Sequence, residues 1–204
     1  VASAATVNVY AGPPGNGMAK KLLPKAVLAV NPDVNAFFPQ TVTIHVGDTV
    51  NFIRGMMPHT IDLPGPSGQD LPFLVTGGPI SGVKDPNGNP FWFNGLPTVL
   101  LNSAVLTPIG GHTYSGSARV DSGFYEGRGS APVFPVKFTK VGTFHYLCDV
   151  HYNMVGTVVV RAKSQPIPAG KNSRALNDQL LNDIAVAKQV YKEKVPPDTV
   201  SVGK

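Results

Sequence analysis

Within seven residues, Cys148-Asp-Val-His151-Tyr-Asn-Met154, the chain places a thiol, an imidazole and a thioether. Apolar runs of strand character flank the stretch on both sides. A thiolate, two imidazoles and a distant axial methionine form the ligand set of a mononuclear electron-transfer copper site. Cys148 is the single cysteine, so it cannot be half of an internal disulfide. A second imidazole stands far upstream, as His59 in Met56-Met57-Pro58-His59-Thr60. One loop cannot surround a metal, so a distant strand has to deliver that ligand. Taken singly, each residue has a plainer reading. Cys148 could be a small buried hydrophobe, Met154 core filler and His59 a turn residue after Pro58. Taken together, His59, Cys148, His151 and Met154 read as the ligands of one copper ion.

The other candidates read differently. His45 and His145 fall on strand faces opposite the core pattern and are expected to be exposed and not to ligate. His112 is a loop histidine in Gly110-Gly111-His112. Met56 and Met57 are read as apolar residues beside the site. There is no His-x-His or His-Cys-His motif of the kind a second, catalytic copper centre uses. A binuclear centre bridged by two cysteines is excluded by the single thiol.

The elements that must hold these residues are mostly strands. Val42, Ile44, Val46, Val50 and Phe52 share one parity, and Thr41, Thr43, His45, Thr49 and Asn51 the other. That is the period of a strand with one buried face, and the spacing predicts strand, Gly47-Asp48 turn, strand. Phe138 to Cys148 repeats the pattern with Gly142 as the break. Phe144, Tyr146 and Cys148 share a face. Val155 to Arg161 reads as the closing strand, and Val7–Tyr10 and Ala26–Val30 as earlier ones. No helical pattern is seen before residue 164. Residues 60 to 137 are broken by turn signals such as Leu63-Pro-Gly-Pro-Ser-Gly and Asp85-Pro-Asn-Gly-Asn-Pro. An insertion is expected at about 64–97, either functional or covering a sheet edge.

After Ala162 the character changes. Residues 164–170 form a Pro-containing linker. Leu176, Leu180, Ile184, Ala187 and Tyr191 then recur at helical spacing, with Asn172 or Ser173 as the expected cap. A helix packed on the strands is preferred to a membrane-surface helix, because its polar face is of mixed sign. The expected organisation is thus an all-β sandwich over 1–163 and a linker plus amphipathic helix over 164–204.

The chain has 204 residues, with 22 glycines and 20 prolines but only 14% charged residues, which favours many short strands joined by turns over a helical bundle. The net charge of +5 reads as solubility and is compatible with an acidic redox partner. The lysine clusters lack the interleaved aromatics of a single-strand nucleic-acid platform, and no nucleic acid is expected. No apolar run is long enough to span a bilayer. The start at Val1 suggests a removed signal segment or a piece of a longer protein.

The two blocks from Phe38 to His59 and from Phe138 to Val160 resemble the cupredoxins, the small blue-copper proteins. They cover about a quarter of the chain. The short Cys-x-x-His-x-x-Met spacing looks most like the amicyanin branch of that family. The resemblance implies a Greek-key β-sandwich, one type 1 copper, electron transfer to redox-partner proteins and a periplasmic or extracellular location. It also implies that Thr60, following the upstream histidine, gives a backbone N–H to the sulfur of Cys148. Many relatives have Asn at that place, so a Thr60 hydroxyl to Asp149 bond is the expected substitute for an amide link. Two other functions stay open: a copper domain of a nitrite-reductase-like or oxidase-like enzyme, and copper storage or delivery.

Overall fold

A computed structural model describes residues 4–12, 34–54, 59–76, 99–124 and 133–193. The expected strand at Ala26–Val30, and Met56 and Met57, lie outside the described residues. Among the described residues, twelve strands fall into two five-stranded sheets and one ribbon. The first sheet holds β1 (Thr6–Ala11), β2 (Phe37–Phe38), β4 (Thr49–Arg54), β8 (Thr113–Tyr114) and β10 (Val133–Phe138), in the order β2-β1-β4-β10-β8. The second holds β3 (Thr41–His45), β5 (Asp62–Leu63), β9 (Val120–Asp121), β11 (Gly142–Leu147) and β12 (Val155–Arg161), in the order β3-β12-β11-β5-β9. Strands β6 (Leu74–Thr76) and β7 (Val99–Leu101) pair by themselves. The architecture is the expected all-β sandwich with a C-terminal helix.

The parity read from residues 41–53 places Val42, Ile44, Val50 and Phe52 in the core, where they lie, while Thr43 on the other face is buried as well. The turn does not make a hairpin, however. β3 and β4 lie in different sheets, so Gly47-Asp48 is a corner where the chain crosses the sandwich. Gly47 adopts φ +93°, a conformation that side chains disfavour. The Asp48 carboxylate accepts from the N–H groups of Ala5 (2.8 Å) and His45 (2.9 Å). The passage from β10 to β11 is a second corner of the same kind. The two corners interlock, with Gly47 N–H donating to Phe138 O at 2.7 Å and Phe138 N–H to Asp48 O at 3.0 Å.

Between the sheets lies an aromatic core. The ring of Tyr146 meets Phe37 and Phe52 edge-on at 4.7 and 4.9 Å. Its cross-strand neighbour is Gly156, where an added Cβ would stand 2.2 Å from the Tyr146 ring. Only a residue without a side chain fits opposite this tyrosine.

Two helices are present among the described residues: α1 (Ser103–Leu106) and α2 (Lys171–Glu193). Sequence periodicity cannot reveal a helix as short as α1; its signal is Asn102, whose side chain caps Ala104 N at 3.1 Å. Helix α2 packs on the sandwich through buried Leu180 and Ile184. It starts one residue before the expected cap, and Asn172 has another task. The Asn172 amide accepts from Thr43 N–H and donates to Thr43 C=O, both at 2.8 Å. Gln179 likewise accepts from Gln40 N–H (2.7 Å) and donates to Phe37 C=O (2.8 Å). β3 and β2 are edge strands of the two sheets. The helix therefore satisfies backbone groups along both open edges.

Candidate metal centre

One short strand positions most of the site. β5 pairs with β11 at Asp62↔Leu147, which sets His59 and Thr60, just before β5, beside Cys148, just after β11. The loop from Cys148 to Met154 closes on itself. Cys148 N–H donates to Met154 O at 3.0 Å, and Met154 N–H to His151 O at 3.1 Å. Asn153 takes φ +63°, a left-handed turn that Asn tolerates better than most residues. That turn brings Met154 back into the core, where it is buried.

The donor atoms converge. Nδ1 of His59 and Nδ1 of His151 lie 3.1 Å apart, and Cys148 Sγ lies 3.9 Å from the first and 3.6 Å from the second. Two nitrogens about 2.0 Å and a sulfur about 2.3 Å from one first-row ion stand roughly 3.1 to 3.9 Å apart at ordinary angles. The triangle thus has the size of a metal's equatorial donors, and its soft sulfur with two imidazoles suits copper. His59 and Cys148 are buried, and His151 is half-buried. Tyr152, next to it, is 95% exposed, so the loop's outer side faces solvent there. Gly12, at φ +83°, lies so close to the far side of the His59 ring that an added Cβ would be 3.4 Å from Nε2.

Support around the sulfur has the expected form. Thr60 N–H points at Cys148 Sγ from 3.4 Å. The Thr60 hydroxyl donates to Asp149 Oδ2 and accepts from Asp149 N–H, each at 2.8 Å. This clasp joins the residue after His59 to the residue after Cys148 without any metal. Such contacts orient ligands and tune a bound metal.

The remaining three of the five histidines are occupied elsewhere. His45 Nε2 meets Gln165 O at 2.8 Å, His112 Nδ1 meets Pro135 O at 2.8 Å, and His145 Nδ1 meets Thr157 Oγ1 at 3.1 Å.

A second convergence escaped the sequence reading. Asp62, Asp121 and Asp149 each bring a carboxylate oxygen within 4.8 Å of the others'. β5 is again responsible, because Asp62 pairs directly with Asp121 on β9. Arg119 forms an ion pair with Asp62 and also donates to Gln69 O. Burial, followed by the charge of Asp149, pushes the Asp62 carboxyl up to about 8, with Arg119 pulling back. Burial likewise pushes Asp121 up to about 7, against the stabilising Gly123 N–H. Asp149 is also raised, by burial first, while the Thr60 hydroxyl opposes the shift. Sequence offered no motif for this group; only Asp149 sits in a stretch that attracted notice.

Comparison with known proteins adds the following. No protein-family model matches the chain, and no curated protein matches it. Among solved structures, a Cu(I) form of an amicyanin variant matches at 19% identity, covering 60% of this chain and 70% of that one, with a TM-score of 0.31. Another Cu(I) amicyanin variant matches at 17% identity, covering 79% of this chain and 86% of that one, with a TM-score of 0.34. The chain is similar to amicyanin, a cupredoxin.

Proposed function

We propose that the protein is a copper-binding electron carrier in which His59, Cys148, His151 and Met154 hold one type 1 copper ion. The observation that supports this best is the triangle of Cys148 Sγ and two imidazole Nδ1 atoms, two of its residues buried and His151 half-buried, braced by Thr60 and Asp149. Bound copper would supply a one-electron Cu(II)/Cu(I) couple.

The chain's own residues account for the rest. Cys148 is the soft donor, and Thr60 N–H steadies negative charge on its sulfur. Met154, buried at the end of the loop, would be the weak fourth donor. The closed loop and the clasp hold the donors in place, so little rearrangement accompanies a change of charge. His151 is the half-buried ligand and gives electrons a path to the surface beside Tyr152. Partners are redox proteins, for which the net charge of +5 favours an acidic face. In the same reading, residues 1–163 are the copper unit, 164–204 its extension, and the location is periplasmic or extracellular. Among the described residues no helix is long and apolar enough to cross a membrane.

A copper enzyme is the weaker reading, because a catalytic copper would need further histidines and the other three are hydrogen-bonded apart from the site. The test is an absorption spectrum of the copper-loaded chain with copper quantified. One equivalent with an intense thiolate-to-copper band is expected. Copper bound without that band would point to storage or delivery and overturn the proposal.

A further inference from the structure

The acidic group beside the site is organised in a way that charge repulsion alone does not produce. Each carboxylate has one oxygen held by a donor from outside the group. Arg119 holds Asp62 Oδ2, Gly123 N–H holds Asp121 Oδ1 at 2.6 Å, and the Thr60 hydroxyl holds Asp149 Oδ2. The second oxygen of each, Asp62 Oδ1, Asp121 Oδ2 and Asp149 Oδ1, is buried without a hydrogen-bond partner among the described residues. Asp62 and Asp121 are 0% exposed, so water does not supply the missing partners at the surface. Unpartnered buried acceptors are costly and call for an explanation.

We propose that Asp62, Asp121 and Asp149 form a site for one hard divalent cation of the calcium or magnesium class. Three observations meet in it. Carboxylate oxygens about 2.3 to 2.6 Å from one calcium ion stand at most about 5 Å apart, and the three here lie within 4.8 Å of one another. Arg119 offsets one of the three negative charges, and one divalent cation offsets the other two. The all-oxygen donor set suits hard ions and not the soft donors' metal next door. Half-buried Asp149 marks the side from which an ion would enter. The rival account is that the carboxyls keep protons and share them, with no ion involved.

The cation proposal does not rest on the copper reading, because calcium avoids thiolate and imidazole donors. The full chain, copper-loaded and dialysed free of other divalent ions, is titrated with calcium chloride in a calorimeter, and then with magnesium chloride. One equivalent bound, a raised melting temperature and an unchanged visible spectrum are expected. Asp121→Asn and Asp149→Asn are isosteric and should each weaken binding tenfold or more, and either one that folds is sufficient. The exposed Asp70→Asn is the matched control and should bind as the parent does. No uptake of either ion at millimolar concentration would overturn the proposal in favour of shared protons. Equal binding by the parent and the Asp121 or Asp149 variants would overturn it by placing the ion elsewhere.

Discussion

Two clusters sit on opposite sides of the Thr60–Asp149 clasp, and one two-residue strand, β5, sets the position of both. On one side stand a thiol and two imidazoles. On the other stand three carboxylates against one guanidinium. The soft group can exist neutral, so burying it costs little without a metal. The hard group, with Arg119 offsetting one charge, is too buried to be fully ionised at little cost, and burial pushes its carboxyls towards neutral pH. The same register therefore makes one group that is stable empty and one that needs a proton or a cation. Donor type, and not the backbone, separates them.

The largest effect that would sharpen this contrast is at the soft group. Cys148→Ser should abolish the visible band of the copper-loaded protein, and full colour in that variant would break the assignment. The next concerns the hard group in metal-free protein. Asp62 and Asp121 bind protons more tightly folded than unfolded, where the value is 3.8. Their contribution to stability is then full below about pH 4 and is lost as pH rises through about 7 to 8. Asp121→Asn should flatten that fall, as read from urea midpoints between pH 5 and 8. Identical slopes for the two proteins would show that Asp121 is ionised throughout. A smaller effect is expected at Met154. Met154→Leu keeps the volume, so the protein should fold and keep its thiolate colour. Loss of a weak axial donor destabilises the oxidised ion more than the reduced one. The potential should rise by about 59 mV or more, the equivalent of a tenfold change in relative affinity, as voltammetry would show. An unchanged potential would reduce Met154 to loop packing. The smallest effect is at His45 and His145. Replacing both by Gln should leave copper stoichiometry and spectrum as they are.

The soft group was legible because three of its four proposed ligands lie in one loop, where spacing in sequence is spacing in space. His59 was found through its neighbours, a strand before it and a proline beside it. The strand faces were legible for a similar reason, as alternation is local. What alternation does not encode is which sheet a strand joins. Thus the turn at Gly47-Asp48 was legible, but not that it carries the chain from one sheet to the other. The acidic group was illegible because Asp62, Asp121 and Asp149 come from three separate segments and meet only through strand pairing. Asn172, expected with Ser173 as an alternative cap, lies inside the helix and holds Thr43, since a cap and an edge clamp use the same side-chain amide. At β2 and β3 the edges are covered by α2, while most of the insertion expected at about 64–97, residues 77–98, lies outside the described residues.

The clamp that α2 places on β2 and β3 has a consequence for the order of events during synthesis. β3 finds its sheet partner in β12, more than a hundred residues later, and its outer edge finds Asn172 later still. Until those segments have left the ribosome, residues 41–45 are a β-branched segment, apolar on one face, with both backbone edges open. Long-range pairing of this kind is slow, and open edges recruit other chains. A chain cut after Arg161 would retain every proposed copper ligand and lose the clamp. Its characteristic failure would be strand-to-strand association between copies, with the metal chemistry intact in whatever fraction stayed monomeric.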